Sequence, residues 1–252
     1  MKLQELIKLR RYSEAIADLQ RDLGRNPDDM AAVEGMALVL RAKGDYAESL
    51  SFFRRLAGQR ESDETTKLLV PGSAAWRIDM ACLCWLSQDR TKAIDLMHDL
   101  AAGILEGSIK YGDAAGGMSQ GLLLYYMAIT SSLPTEVSFA LDYLRKRVKR
   151  GFGQIWPTPV ARYYLGEISF DDVVEAVNRQ PTLTGPLAAE KHELGIRRRL
   201  CVALFHPGVR FRAKGDEEHC LAHMKKCLAL ENPLIEQEWY LARYEIENAN
   251  VV

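Results

Sequence analysis

Apolar positions recur at helical spacing along this chain, and short polar turns interrupt them. The stretch RRYSEAIADLQ at 10–20 and the stretch GDYAESLSFFR at 44–54 share one layout. Tyr12 matches Tyr46, Ala15 matches Ser49 and Leu19 matches Phe53, each 34 residues apart. Within each stretch a small residue precedes a bulky apolar one by four positions, so the two lie on one helical face, a turn apart. The small residue admits a neighbouring helix and the bulky one fills the space beside it. Ala93 and Met97, Ala140 and Leu144, and Cys220 and Met224 repeat the device. Ahead of these second helices, the periodicity predicts first helices at 31–42, 75–86, 121–132 and 200–213. The connecting turns are AKGD at 42–45, SQDR at 87–90 and AKGD again at 213–216, with Gly44 and Gly215 suited to a left-handed helix end.

A 34-residue helix–turn–helix unit with this pattern resembles the tetratricopeptide repeat. The first unit keeps Tyr12, Ala15, Leu19 and Pro27, and the second keeps Ala37, Gly44, Tyr46 and Phe53. The fifth carries Leu204, Gly208, Phe211, Cys220, Met224 and Cys227, with Pro233 one place late. Units three and four are looser, with insertions expected near 58–73 and 105–118. Residues 148–196 break the repeat: GFGQIWPTP is rich in Gly and Pro, and NRQPTLTGPLAAE reads as a loop. Between them, PVARYYLGEISFDDVVEAV reads as a helix, a turn at Gly166–Glu167 and a short helix capped by Ser169. The amphipathic stretch 233–247 suits a terminal cap. The Trp-Pro segment, RYYLGEIS and this cap resemble bacterial tetratricopeptide proteins of the NlpI type, without their lipidation signal.

The resemblance implies an all-α, right-handed superhelical α-solenoid of about five helix pairs plus a capping helix. It implies one domain over 1–252, with four repeats in 1–147, an irregular connector in 148–196, and the fifth repeat and cap in 197–250. It also implies that the first helix of each pair lines a concave groove. The candidate groove residues are Glu34, Arg41, Asp79, Trp85, Tyr125, Tyr126, Phe205, His206 and Arg212. Aromatic residues and Arg are the types that carry energy at interfaces. The competing reading is that Trp85, Tyr125 and Tyr126 are core.

Composition narrows the chemistry. The formal net charge is −1, which gives no global argument for a polyanionic partner. Five scattered Cys, an odd number in apolar surroundings, suggest reduced thiols and a cytoplasmic setting. MKLQELIKLRR has no signal-like apolar core, and GLLLYYMAI at 121–129 is too short to cross a bilayer. In HCLAHMKKC at 219–227, His219, His223 and Cys227 share a helical face, but Cys220 and Cys227 fall on packing positions, so no metal is expected. The CLC at 82–84 points its thiols apart and reads as packing. KYGDAAGGMSQG at 110–121 lacks the Lys-Ser/Thr of a phosphate cradle and reads as a connector. RKRVKR at 145–150 and IRRRL at 196–200 read as solvated or internally paired runs rather than a nucleic-acid surface. The pairs of Asp at 28–29 and 171–172 suit helix starts. No catalytic constellation follows from spacing.

These readings converge on a non-catalytic binder of another protein or an extended peptide, with no cofactor. Its sharper form is a bacterial cytosolic immunity protein that neutralises a toxin. The alternatives are an adaptor or chaperone for a secretion or envelope assembly, and a metal-binding or enzymatic helical-repeat protein.

Overall fold

The computed structural model describes residues 3–61, 72–109, 115–149, 155–179, 188–231 and 236–249. Among them the regular structure is helical throughout, in thirteen helices. The chain divides into two compact units, Met1–Leu100 and Ala101–Val252.

The first unit holds α1 (Leu3–Lys8), α2 (Tyr12–Arg25), α3 (Met30–Lys43), α4 (Tyr46–Glu61), α5 (Gly72–Leu86) and most of α6 (Arg90–Glu106). Successive helices pack in turn: α1 on α2, α2 on α3, α3 on α4 and α4 on α5. Asp29 caps α3, its carboxylate accepting from the Ala31 and Ala32 amides, which meets orphan donors at the positive helix end. Gly44 ends α3 at φ 105, where a Cβ would be strained, and its amide donates back to the Leu40 and Arg41 carbonyls. The small-then-bulky device holds. Ala15, Ser49, Phe53, Ala93 and Met97 are buried. Leu19 remains half-exposed but presses on Gly35, where an added methyl would stand 2.7 Å from Leu19 Cδ2.

The second unit holds α7 (Met118–Thr130), α8 (Pro134–Lys149), α9 (Thr158–Tyr164), α10 (Phe170–Asn178), α11 (Ala188–Arg212), α12 (Glu217–Leu228) and α13 (Gln237–Ala249). The hairpins α7–α8 and α11–α12 follow the expected scheme, with Ala140, Leu144, Cys220 and Met224 buried. Their first helices use glycine at the closest approach. A methyl at Gly121 would meet Tyr143 Cδ1 at 2.5 Å, and one at Gly208 would meet the Cys220 carbonyl at 3.0 Å. The helix–turn–helix expected at 159–177 is present as α9 and α10: Gly166 takes φ 76, and Ser169 forms a reciprocal capping box with Asp172.

One element differs from expectation. The fifth repeat's first helix, expected at 200–213, runs as α11 from Ala188. The extra turns place Arg197, Arg198 and Arg199 on a continuous helix, where they satisfy carbonyls and a carboxylate of α10 and the α12–α13 region. Pro207 sits inside this helix without ending it. Unlike a repeat helix that meets its sequence neighbours alone, α11 touches α7, α9 and α13 besides α10 and α12. The inner part of the insertion expected near 58–73, residues 110–114 of the glycine-rich connector, the start of GFGQIWPTP, the centre of NRQPTLTGPLAAE and Pro233 lie outside the described residues.

Candidate functional site

In the first unit, α3 carries Glu34 and Arg41, and α5 carries Asp79 and Trp85. Glu34 is exposed. Arg41 is 1 % exposed and donates from Nη1 to Asp79 Oδ1 at 2.5 Å, with its guanidinium 6.0 Å from the Phe53 ring centre. The pair ties α3 to α5, and Asp79 keeps partial contact with solvent. Trp85 is fully buried, with the Arg90 guanidinium 5.0 Å from its ring centre.

In the second unit, five candidates converge. Tyr125 and Tyr126 come from α7, and Phe205, His206 and Arg212 from α11. Their rings interlock: Tyr126 lies edge-on to Phe205 at 5.0 Å, Phe205 meets His206 at 5.2 Å, and Tyr125 leans on Tyr164 of α9 at 4.6 Å. Edge-to-face contacts of this kind add to the area the rings bury.

Two polar ties run through this aromatic cluster. In the first, the Tyr126 hydroxyl donates to Glu245 Oε1 at 2.5 Å, and Arg212 Nη2 donates to Glu245 Oε2 at 3.0 Å. Arg212 also pairs with Glu217 and donates from Nη1 to Thr130 Oγ1 at 3.2 Å. Burial works against the Arg212 charge, but the carboxylates of Glu217 and Glu245 outweigh it and hold its pKa above the ordinary guanidinium value.

In the second tie, the Tyr164 hydroxyl stands 2.7 Å from His206 Nδ1, and His206 Nε2 stands 3.2 Å from Glu238 Oε1. A neutral imidazole satisfies both neighbours when Nε2–H donates to the carboxylate and Nδ1 accepts the phenol. The order Tyr–His–Glu is that of a proton relay. However, His206 is fully buried and Glu238 is 4 % exposed. Burial also pushes the Tyr164 pKa well above the ordinary tyrosine value. The geometry is that of a structural tie joining α9, α11 and α13. Sequence reasoning missed Tyr164, Glu238 and Glu245. Their only signal was acidic or phenolic residues on otherwise apolar helix faces.

Burial therefore changes what the candidate residues offer. Arg41, Trp85, Tyr126, Phe205 and His206 sit inside helix packing, because the apolar faces that carry them face the next helix. Glu34, Asp79 and Arg212 keep surface, and Tyr125 keeps a little.

Arg212 borders an open groove of about 580 Å³ within the second unit. Its lining is chiefly apolar: Ile129 at the end of α7, Leu133 just before α8, Val137 and Leu141 on α8, and Ala213 after α11. Leu133, Val137 and Leu141 are four apart and form one stripe, the Val137 amide donating to the Leu133 carbonyl. Among the described residues Leu133 is one of the large apolar side chains that stay well exposed, at 39 %.

The remaining motifs resolve into packing. Cys227 turns inward against Cys201, while His219 and His223 stack on Phe211 at the surface. Among the described residues no group of three or more His, Cys, Asp or Glu is placed to hold a metal ion. Cys82 and Cys84 are both buried. Arg145 pairs with Asp142. No helix among the described residues is long and apolar enough to cross a membrane.

Residues 1–64, which span α1 to α4, match a family model described as tetratricopeptide repeat. No curated protein matches the chain. Helix hairpins with this match support a protein–protein interaction module.

Proposed function

We propose that the chain is a non-catalytic binder of another protein, and that the groove bordered by Arg212 is a principal contact surface. The observation that carries this reading is the groove itself. It is open and apolar, and its size is one that side chains fill. Its occupant is an apolar stripe of a partner, a short amphipathic helix laid along Leu133, Val137 and Leu141, with Arg212 supplying a polar edge.

Within that class, we place first an inhibitor of immunity type that neutralises one partner toxin. The walls support this choice. Arg212 is held by Glu217, Glu245 and Thr130, so it loses little freedom on binding. A preorganised surface favours one tight partner over many loose ones. An adaptor serving several clients would gain from the opposite.

The test is to identify the protein that co-purifies in stoichiometric amount and measure its affinity for the wild type and for Leu133→Glu. Leu133 is exposed, so the fold survives the change, and affinity drops by tenfold or more. Unchanged affinity with an unchanged melt removes the groove from the interface. Capture of several unrelated proteins with similar strength favours the adaptor.

A further inference from the structure

The buried face between α11 and α12 holds two thiols in contact. Cys201 Sγ and Cys227 Sγ are 3.3 Å apart, and both residues are fully inaccessible. The contact is held on three sides. Cys227 Sγ lies 3.6 Å from the Cys201 carbonyl oxygen and 3.9 Å from the Glu238 carbonyl oxygen on α13, and the α11–α12 hairpin packs tightly around both. Cys82, Cys84 and Cys220 are also buried thiols, but the 3.3 Å contact belongs to Cys201 and Cys227.

We infer that Cys201 and Cys227 form an intramolecular disulfide when the chain folds in an oxidising medium, a covalent modification site that clamps the last hairpin and its cap. Joining the sulfurs at a bond length of about 2.05 Å requires them to close by roughly an ångström, a movement on the scale of side-chain rotation. With glutathione disulfide as oxidant, one protein thiolate attacks its S–S bond, forming a mixed disulfide and releasing one glutathione thiolate. The second protein thiolate then attacks the protein sulfur of that mixed disulfide and expels the second glutathione. Two protein thiols give up two electrons and two protons, and one glutathione disulfide becomes two glutathione molecules. Burial raises the Cys201 pKa, so the folded reduced protein reacts slowly and the bond forms mainly during folding.

The site has a consequence for location that stands apart from the proposed partner groove. In a reducing compartment the pair remains two packed thiols. In an oxidising one it becomes a cross-link beside Glu238, the residue that ties His206 to the cap.

The experiment uses the full chain, refolded from urea once with a glutathione redox buffer and once with a phosphine reductant. Free thiols are counted in denaturant, and disulfide-linked peptides are mapped by mass spectrometry. The expected result is that the reduced sample shows five thiols and the oxidised sample three. The linked peptides join Cys201 to Cys227, and the melting temperature rises by several degrees. Cys227→Ala abolishes the link, and Cys220→Ala leaves it in place. If oxidative refolding yields aggregate, the folded reduced protein is held with glutathione disulfide in sub-denaturing urea and mapped in the same way. Five free thiols, or a link between any other pair, overturns the inference.

Discussion

The first unit and the second unit are built from the same hairpin, yet they hold themselves together differently. From α1 to α5 the helices stack on their neighbours, and the shared chemistry is small side chains nested under large ones. Its polar ties include Ser49 Oγ, which donates to the Ala37 carbonyl at 2.7 Å, the Arg41–Asp79 pair, and Arg55, which reaches the Pro27 carbonyl. In the second unit α11 reaches five other helices, and carboxylates and phenols far apart in sequence meet inside it. Tyr126 and Glu245 are 119 positions apart, and Tyr164 and His206 are 42 apart. The contrast shows that one repeat grammar can produce both a stack of neighbouring helices and a unit gathered around one helix.

The sharpest way to break this contrast is to remove a tie. Glu245→Ala leaves Arg212 and Tyr126 without their shared acceptor in a setting where Arg212 is 13 % and Glu245 11 % exposed. The expected loss is about 3 kcal/mol, the range for breaking a buried pair from one side, read by urea denaturation. A loss below about 1 kcal/mol would mean that the second unit does not depend on this tie.

Next in size is a packing change. Gly121→Val places branched carbon against Tyr143 and Leu144, and should cost about 1–3 kcal/mol. Ala93→Trp, at a fully buried small position on α6, should cost a similar ~1–3 kcal/mol or more. An unmoved melt for either would show that the close approach is absent.

A smaller effect is expected from Ser49→Ala. It removes the hydroxyl donor to the Ala37 carbonyl inside the first unit, and should cost about 1 kcal/mol. The comparison sharpens if this loss is well below that of Glu245→Ala.

The smallest effect is a pH dependence at the edge of the second unit. Burial lowers the His223 pKa below 6.5, and its Nδ1 faces the Leu204 carbonyl at 3.1 Å. The unfolded chain then binds a proton more readily than the folded one, so this residue's contribution to stability falls as pH drops through 6.5 and levels off below its folded value. His223→Gln should flatten that part of the melting-temperature profile between pH 7 and pH 5. Parallel profiles for the two proteins would refute it.

What the sequence made legible follows from the same contrast. Periodicity finds what repeats, so it located the buried positions Ala15, Ser49, Ala93, Ala140 and Cys220, the Gly44 helix end and the Ser169 cap. All of these depend on residues within one turn or one hairpin. Periodicity carries no information about which carboxylate meets which phenol across distant helices. Hence spacing does not point to Glu238, Glu245 and Tyr164, and it leaves Tyr125 and Tyr126 open between a binding face and the core, where they are largely buried. Trp85 illustrates the ambiguity: a tryptophan on an apolar helix has the same spacing whether its face meets a partner or the next helix. The groove escaped notice for a further reason. Its lining joins the α7–α8 turn to the far end of α11, and no spacing rule links those segments.

The many neighbours of α11 also bear on how such a chain can change over generations. A stack in which each layer meets the next tolerates the gain or loss of a whole layer, because the new junction resembles the old one. A helix in contact with five others has no junction that can be repeated. Duplicating or deleting a hairpin around α11 would strand Glu238 or Glu245 without its counterpart, so this half is expected to vary by single substitutions at its rim while its length stays constant.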